Sequence, residues 1–186
     1  MNPIVEFDIA VLNFIREHIS CSFLDAIVPP ISFLGNGGWI FILAAVIMLF
    51  FRSTRKTGLM TGAALICGLI VCNLALKPLV ARIRPFDLVE GIDVIIKKPH
   101  DYSFPSGHTT AAFELATVWM MRDRRFGIPA LVFAFAMAFT RLSLYVHYPT
   151  DVIGGMAVGI LCGVAGYFIV DKIWNKVTAK KEASAE

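Results

Sequence analysis

Residues 57–76 run for twenty positions without a charge. A helix of that length rises about 30 Å, the thickness of a bilayer's hydrocarbon core. Nothing else in the chain constrains its fold so strongly. Inside hydrocarbon the backbone must satisfy its own hydrogen bonds, and a helix does so. Four further runs share the pattern: 31–51, 105–121 with one Glu, 126–146 with Arg141 near its end, and 149–170 with Asp151 in its first turn. The first of these is preceded by Pro29-Pro30 and interrupted at Gly35-Asn36-Gly37-Gly38. The chain is 57% hydrophobic and 17% charged, whereas a soluble domain is nearer half apolar and a quarter charged. Intrinsic disorder is excluded, since it needs low hydrophobicity and high net charge. Four Cys, three of them within apolar runs, do not make a disulfide scaffold. A formal charge of +3 with no single basic face argues against nucleic acid as a partner. The expected fold is therefore all-α: a polytopic transmembrane helix bundle of five spans. Nothing in the sequence sets its oligomeric state.

The N-terminus differs from the rest. Residues 3–19 mix Glu6, Asp8, Arg16 and Glu17 with nine large apolar side chains. A signal peptide opens on positive charge, and this segment does not. It reads either as an amphipathic helix lying in the interface or as an extra helix packed on the bundle with residues 21–34. The expected division is 1–30 as this N-terminal segment, 31–174 as the transmembrane domain and 175–186 as a cytoplasmic tail. Basic residues gather in two links and the tail: Arg52, Arg55 and Lys56; Arg122, Arg124 and Arg125; Lys172, Lys176, Lys180 and Lys181. Alternating helices put all three on one face, which the positive-inside rule makes cytoplasmic. The opposite face is basic too, with Lys77, Arg82, Arg84, Lys97, Lys98 and Arg141, and that excess wants its own explanation.

The explanation lies in three motifs on that face: Lys77-x6-Arg84-Pro85, Pro105-Ser106-Gly107-His108 and Arg141-x5-His147-x3-Asp151. Ionisable groups at membrane depth are costly and read as functional by default. Lys77, Arg84 and Arg141 form a set of cations suited to phosphoryl oxygens. Pro105 suits a helix start, and the following N–H groups of Ser106, Gly107 and His108 would face an anion. Gly107 permits close approach, and Ser106 adds a hydroxyl donor. His147 and Asp151 are four apart, so a carboxylate can fix one imidazole nitrogen and free the other to attack phosphorus. His108 would protonate the leaving oxygen and then activate water. A metal on His108, His147 and Asp151 is the rival chemistry, and the surrounding cations argue against it.

Together the motifs resemble the three-part signature of the type-2 phosphatidic acid phosphatases, the superfamily that includes the vanadium haloperoxidases. One departure is Thr140, where the family usually has Ser before the Arg of the third motif; the hydroxyl is kept. The resemblance covers residues 77–151, with the span pattern carrying it to about 171, and residues 1–30 add nothing to it. It implies His147 as nucleophile, Asp151 as its partner, His108 as acid and base, and Lys77, Arg84, Ser106, Gly107 and Arg141 as phosphate ligands. It also implies a membrane lipid phosphatase that uses a phosphohistidine and no metal or organic cofactor. Undecaprenyl diphosphate is the favoured substrate, with phosphatidylglycerophosphate and phosphatidic acid as others of the class. A lipid phosphotransferase and a non-catalytic lipid-phosphate binding or transport protein are the alternatives. The expected location is a bacterial plasma or inner membrane, with the site on the extracytoplasmic side. Lys97 and Lys98 read as a solvated loop and Glu114 as structural; Arg82 stays open between the two.

Overall fold

A computed structural model describes residues 2–184, apart from the side chain of Lys181. Helices and their links account for the described residues, with no strand among them. Helix α1 (Pro3–Phe14) begins with Pro3 in its first turn, and the Asn2 side chain accepts from the Ile4 N–H. It continues as a π-helical turn, Ile15–Ile19. Helices α2 (Ser22–Leu34) and α3 (Trp39–Phe50) meet at a 45° bend. Gly37 and Gly38 make that bend at φ of 60° and 71°, a region that a Cβ resists. The expected boundary at residue 30 thus falls inside a helix.

Helix α4 (Arg55–Gly68) passes into a π-helical stretch, Leu69–Leu76, and then α5 (Lys77–Val80). The single turn α6 (Pro85–Leu88) lies in the loop toward α7 (Gly107–Arg122). Helices α8 (Arg124–Ser143) and α9 (Pro149–Ala183) complete the bundle. The expected tail is the end of α9 as far as residue 183, while Ala185 and Glu186 lie outside the described residues.

Five spans were expected, and length with apolarity supports fewer. Three stretches among the described residues suffice alone: Arg55–Leu88, Arg124–Ser143 and Pro149–Lys180. The bent α2–α3 pair makes a fourth if taken as one span. Helix α7 falls short, because its 16 residues rise only about 24 Å and Glu114 interrupts its apolar run. It packs on α4, α8 and α9 and buries Thr109, Ala112, Phe113, Ala116 and Val118. A helix enclosed by others has no lipid-facing side to make apolar.

The bundle's exterior is apolar instead. Ile42, Ile66, Val132, Phe135, Leu161 and Phe168 are all exposed along its flanks, an outward display that water would penalise and lipid tails accept. The chain is a membrane protein. Small residues in its interior let helices approach closely. At Gly159 an added Cβ would stand 2.5 Å from the Thr110 carbonyl, so α9 lies directly on the backbone of α7. Helix α1 packs on the bundle through Leu12, which joins Tyr145 and Tyr148 in a buried cluster.

Candidate active site

Lys77, Arg84, Gly107, His108, Arg141 and His147 line one cavity of about 720 Å³. Residues from all three motifs therefore meet in space. Lys77 opens α5 and is buried at the end of the long α4 run. Arg84 is extended and N-terminal to α6, and it is buried. Arg141 is in the last turn of α8 and His147 in the link to α9. That link turns sharply: Tyr145 adopts φ 58°, a strained conformation costing on the order of 1 kcal/mol for a non-glycine residue. The burial of its ring against Leu12 and Tyr148 holds it there. The Val146 and His147 N–H groups then donate back to the Arg141 carbonyl, at 3.2 and 3.4 Å, and this folds His147 over the cavity.

The His147 tautomer follows from its neighbours. Arg84 Nη1 lies 3.3 Å from His147 Nε2. Arginine can only donate, so Nε2 accepts and the proton belongs on Nδ1. Nδ1 lies 3.5 Å from Asp151 Oδ2 and 3.5 Å from Ser103 Oγ, which are loose contacts by hydrogen-bond standards. Burial and then the charges of Arg84, Arg141 and Lys77 push the His147 imidazolium well below the usual histidine range. The ring is thus neutral at physiological pH, with its Nε2 lone pair beside the cations. Ser103 also donates to Asp151 Oδ2, which accepts from the Tyr148 N–H at 2.9 Å as well. Ser103 carried no motif signal.

The cations are already engaged. Lys77 pairs with Asp101 Oδ2, while Arg84 Nη2 donates to Asp101 Oδ1 at 2.7 Å and Arg84 Nε to the Asp101 carbonyl at 2.8 Å. One carboxylate therefore bridges two of the three cations expected to bind phosphate. Asp101 was not singled out from the sequence, although it is the one acid in the basic run Lys97-Lys98-Pro99-His100-Asp101. Burial raises its carboxyl pKa, and Lys77 and Arg84 outweigh that to hold it at about 2. Arg141 is buried, donates from Nη1 to Ser32 Oγ, and has an unpartnered Nε.

The helix start departs from expectation in one respect. The Ser106 N–H donates to the Asp151 backbone carbonyl at 3.1 Å, so it is not free for an anion. Ser106 Oγ accepts from Thr109 Oγ1 at 3.0 Å, and the residue is fully buried outside the cavity lining. The site-facing amides begin with Gly107 and His108, which precede the helix's own acceptors. His108 Nε2 meets Asn36 Oδ1 at 3.0 Å, and at Gly35 an added Cβ would stand 2.4 Å from the His108 ring. The bend between α2 and α3 is therefore shaped around this histidine. Ser32 and Asn36 were legible only as polar residues in an otherwise apolar stretch.

The remaining candidates separate. Lys97 and Lys98 are exposed and line the cavity mouth. Arg82 pairs with Asp8 and Asp151. Glu114 is buried with Oε1 unpartnered, against Gly68 of α4. It lines a second, apolar space of about 1,020 Å³, which runs from Val177 and Trp174 past Ile66, Leu69 and Ile42 to Lys77, Asp101, Gly107 and His108. Among the described residues no group of three or more His, Cys, Asp and Glu is placed to hold a metal ion.

Against known proteins, the profile of the PAP2 superfamily matches residues 55–175. The chain belongs to the PAP2 superfamily. The PAP2 chain is 32% identical over 142 residues to the undecaprenyl-diphosphatase BcrC of Bacillus subtilis, covering 76% of this chain and 72% of that protein. It is 34% identical over 110 residues to a lipid A 4'-phosphatase of Bacteroides thetaiotaomicron, covering 55% of this chain and 49% of that relative. The crystal structure of Aquifex aeolicus LpxE superposes with a TM-score of 0.76 at 25% identity, covering 86% of this chain and 94% of that one. The PAP2 protein is thus a membrane lipid phosphatase. Its profile match begins at Arg55, so Asp8, Ser32 and Asn36, which contact the site, precede the residues that the profile matches.

Proposed function

We propose that this phosphatase hydrolyses a long-chain lipid diphosphate, with undecaprenyl diphosphate favoured, at the extracytoplasmic face of a plasma or inner membrane. The observation that carries this is the continuity of two spaces. The apolar groove beside α3 and α4 runs into the cationic cavity and shares Lys77, Asp101, Gly107 and His108 with it. A lipid tail can lie in the groove while its headgroup reaches the cations. A soluble phosphate ester would have no use for the groove. The likeness to a B. subtilis undecaprenyl-diphosphatase supports the choice of substrate, and Lys97 and Lys98 at the mouth suit a second phosphate. In this reading five spans cross the membrane: α4, α8 and α9, with α7 as the enclosed central helix and the bent α2–α3 pair as one.

In this reading Lys77, Arg84, Arg141 and the Gly107 and His108 amides hold the phosphoryl oxygens, where they stabilise charge developing in the transition state. The Nε2 of His147 attacks phosphorus, and the bond to the leaving oxygen breaks. His108 gives that oxygen its proton. Water then attacks the phosphohistidine, His108 takes the water's proton, and inorganic phosphate leaves with His147 restored. Asp151 compensates the charge on the imidazole throughout.

The test is phosphate release from detergent-solubilised undecaprenyl diphosphate, phosphatidylglycerophosphate and phosphatidic acid, with EDTA present and an alcohol acceptor offered in parallel. Fastest release from the diphosphate is expected, with water as acceptor. His147→Ala should bring release to background while the protein stays folded and still binds lipid phosphate. Substantial turnover by that variant would remove the nucleophile. A phosphorylated alcohol as main product would make the enzyme a phosphotransferase.

A further inference from the structure

Arg82 lies outside the cavity lining, yet it is among the most constrained side chains near it. Its Nη1 donates to Asp151 Oδ1 at 2.6 Å and to Thr150 Oγ1 at 2.7 Å. Its Nη2 donates to Asp8 Oδ2 at 2.7 Å. The guanidinium carbon sits 3.9 Å from the centre of the Tyr148 ring, a cation–π contact. Asp8 is fully buried, and it also accepts from the Thr150 N–H at 3.1 Å and from the Thr150 hydroxyl. Asp151 is likewise fully buried.

Two buried carboxylates therefore share one guanidinium. Each would be expensive to bury alone, so the three positions lock one another. The fork geometry of arginine lets one side chain serve both acids at once. Asp151 is addressed from both ends: Oδ1 from Arg82, and Oδ2 from Ser103, the Tyr148 N–H and His147. The side of the Asp151 carboxylate that does not face His147 is thus set by Arg82, and Arg82 is set by a residue of α1.

We propose that Asp8 and Arg82 are positioning residues of the hydrolytic site: Arg82 fixes the orientation and effective charge of Asp151, and Asp8 fixes Arg82. Helix α1 is then a working part of the active site, although it lies outside the region the family profile covers. The proposal rests on His147 being the nucleophile that Asp151 orients.

The charge count gives the test its sign. Asp8, Arg82 and Asp151 together carry one net negative charge. Asp8→Asn leaves Arg82 balanced by Asp151 alone, so less negative charge faces His147. Arg82→Gln leaves two carboxylates unbalanced, so more does. The other charged or titratable groups facing His147 are unchanged in both variants: Arg84 and Asp101 from the loop, Lys77 from α5, Arg141 from α8 and His108 from α7. Imidazolium is destabilised in the first variant and stabilised in the second. The acid limb of kcat/KM should therefore move to lower pH in Asp8→Asn and to higher pH in Arg82→Gln.

Both variants should lose kcat by about ten- to a hundredfold, the loss seen when the outer partner that orients a metal-ligating side chain is removed. KM should change less than about threefold, because Lys77, Arg84 and Arg141 remain. Arg82→Lys should keep the limb near its wild-type position and restore part of kcat, since it keeps the charge but not the fork. The experiment compares full-length wild type, Asp8→Asn, Arg82→Gln, Arg82→Lys and His147→Ala in detergent, with thermal unfolding measured beside each pH profile. Active wild type with inactive His147→Ala secures the underlying reading. Given that, opposite shifts support the proposal. Limbs that stay put, or that move in the same direction in both variants, overturn it. If Asp8→Asn does not fold, the direction of the Arg82→Gln limb decides alone.

Discussion

Asp101 is the residue whose placement most changes the picture of the site. A phosphoryl group must share Lys77 and Arg84 with its carboxylate or displace it, since both cations already pair with Asp101. Its side chain is 53% exposed, so displacement outward needs no rearrangement of the bundle. Held at about 2, its pKa leaves it an anion throughout the physiological range. Asp101→Asn keeps the shape and removes the competing charge. Inhibition by inorganic phosphate or orthovanadate should then tighten by about fivefold, the effect of roughly 1 kcal/mol for a partly exposed ion pair. Weaker inhibition together with a higher KM would mean that Asp101 arranges the cations for substrate instead of competing with it. Lys77, Arg84, His147 and Asp151 were legible in the sequence because spacing along one chain segment carries them. Asp101, Ser103, Ser32 and Asn36 were not, because their roles exist only across the fold. Arg141 and its partner Ser32 are 109 positions apart, and no local pattern links them.

At the level of elements, the seam between α7 and α9 couples packing to chemistry. At Gly155 an added Cβ would stand 2.7 Å from the Ser106 carbonyl and 3.1 Å from Thr109 Cβ. Backbone cannot yield as a side-chain tip can, so Gly155→Ala must push the start of α7 away from α9. That start carries Gly107 and His108. The substitution should cost about 1–3 kcal/mol of stability, as overpacking does, and lower kcat at the same time. Gly62→Ala is the control, since nothing lies within 4 Å of its added Cβ. Thermal unfolding with a single-turnover assay checks both; equal effects of the two would break the argument. Apolar runs were enough to foresee helices at α3, α4, α7, α8 and α9. They could not foresee that α7 is enclosed, or that α2 continues through Pro29-Pro30 to Leu34, because neighbours and not composition decide those features. The N-terminal sequence suits both an interfacial and a packed placement, and the burial of Leu12 and Asp8 packs it on the bundle.

Over the whole molecule, charge divides the two ends. Lys56 pairs with Asp171 at 2.7 Å, and Arg122 Nε donates to Thr57 Oγ1 at 3.2 Å, so the basic α3–α4 link, the end of α7 and the far part of α9 form one end. The cationic cavity forms the other. In the proposed function Lys77, Arg84 and Arg141 serve phosphate, which leaves the basic excess of the first end to act as the topological signal. That end should face the cytoplasm. Impermeant maleimide labelling of single-Cys variants in intact cells tests it, in a background lacking Cys21, Cys67, Cys72 and Cys162. Glu90→Cys, on the exposed loop near the cavity, should react, and Arg124→Cys, exposed at the other end, should react only after permeabilisation. The reverse pattern would turn the cavity toward the cytoplasm. The groove would then draw its lipid from the inner leaflet, and an outward-facing diphosphate carrier could not be the substrate, because its headgroup would lie a full bilayer thickness from His147.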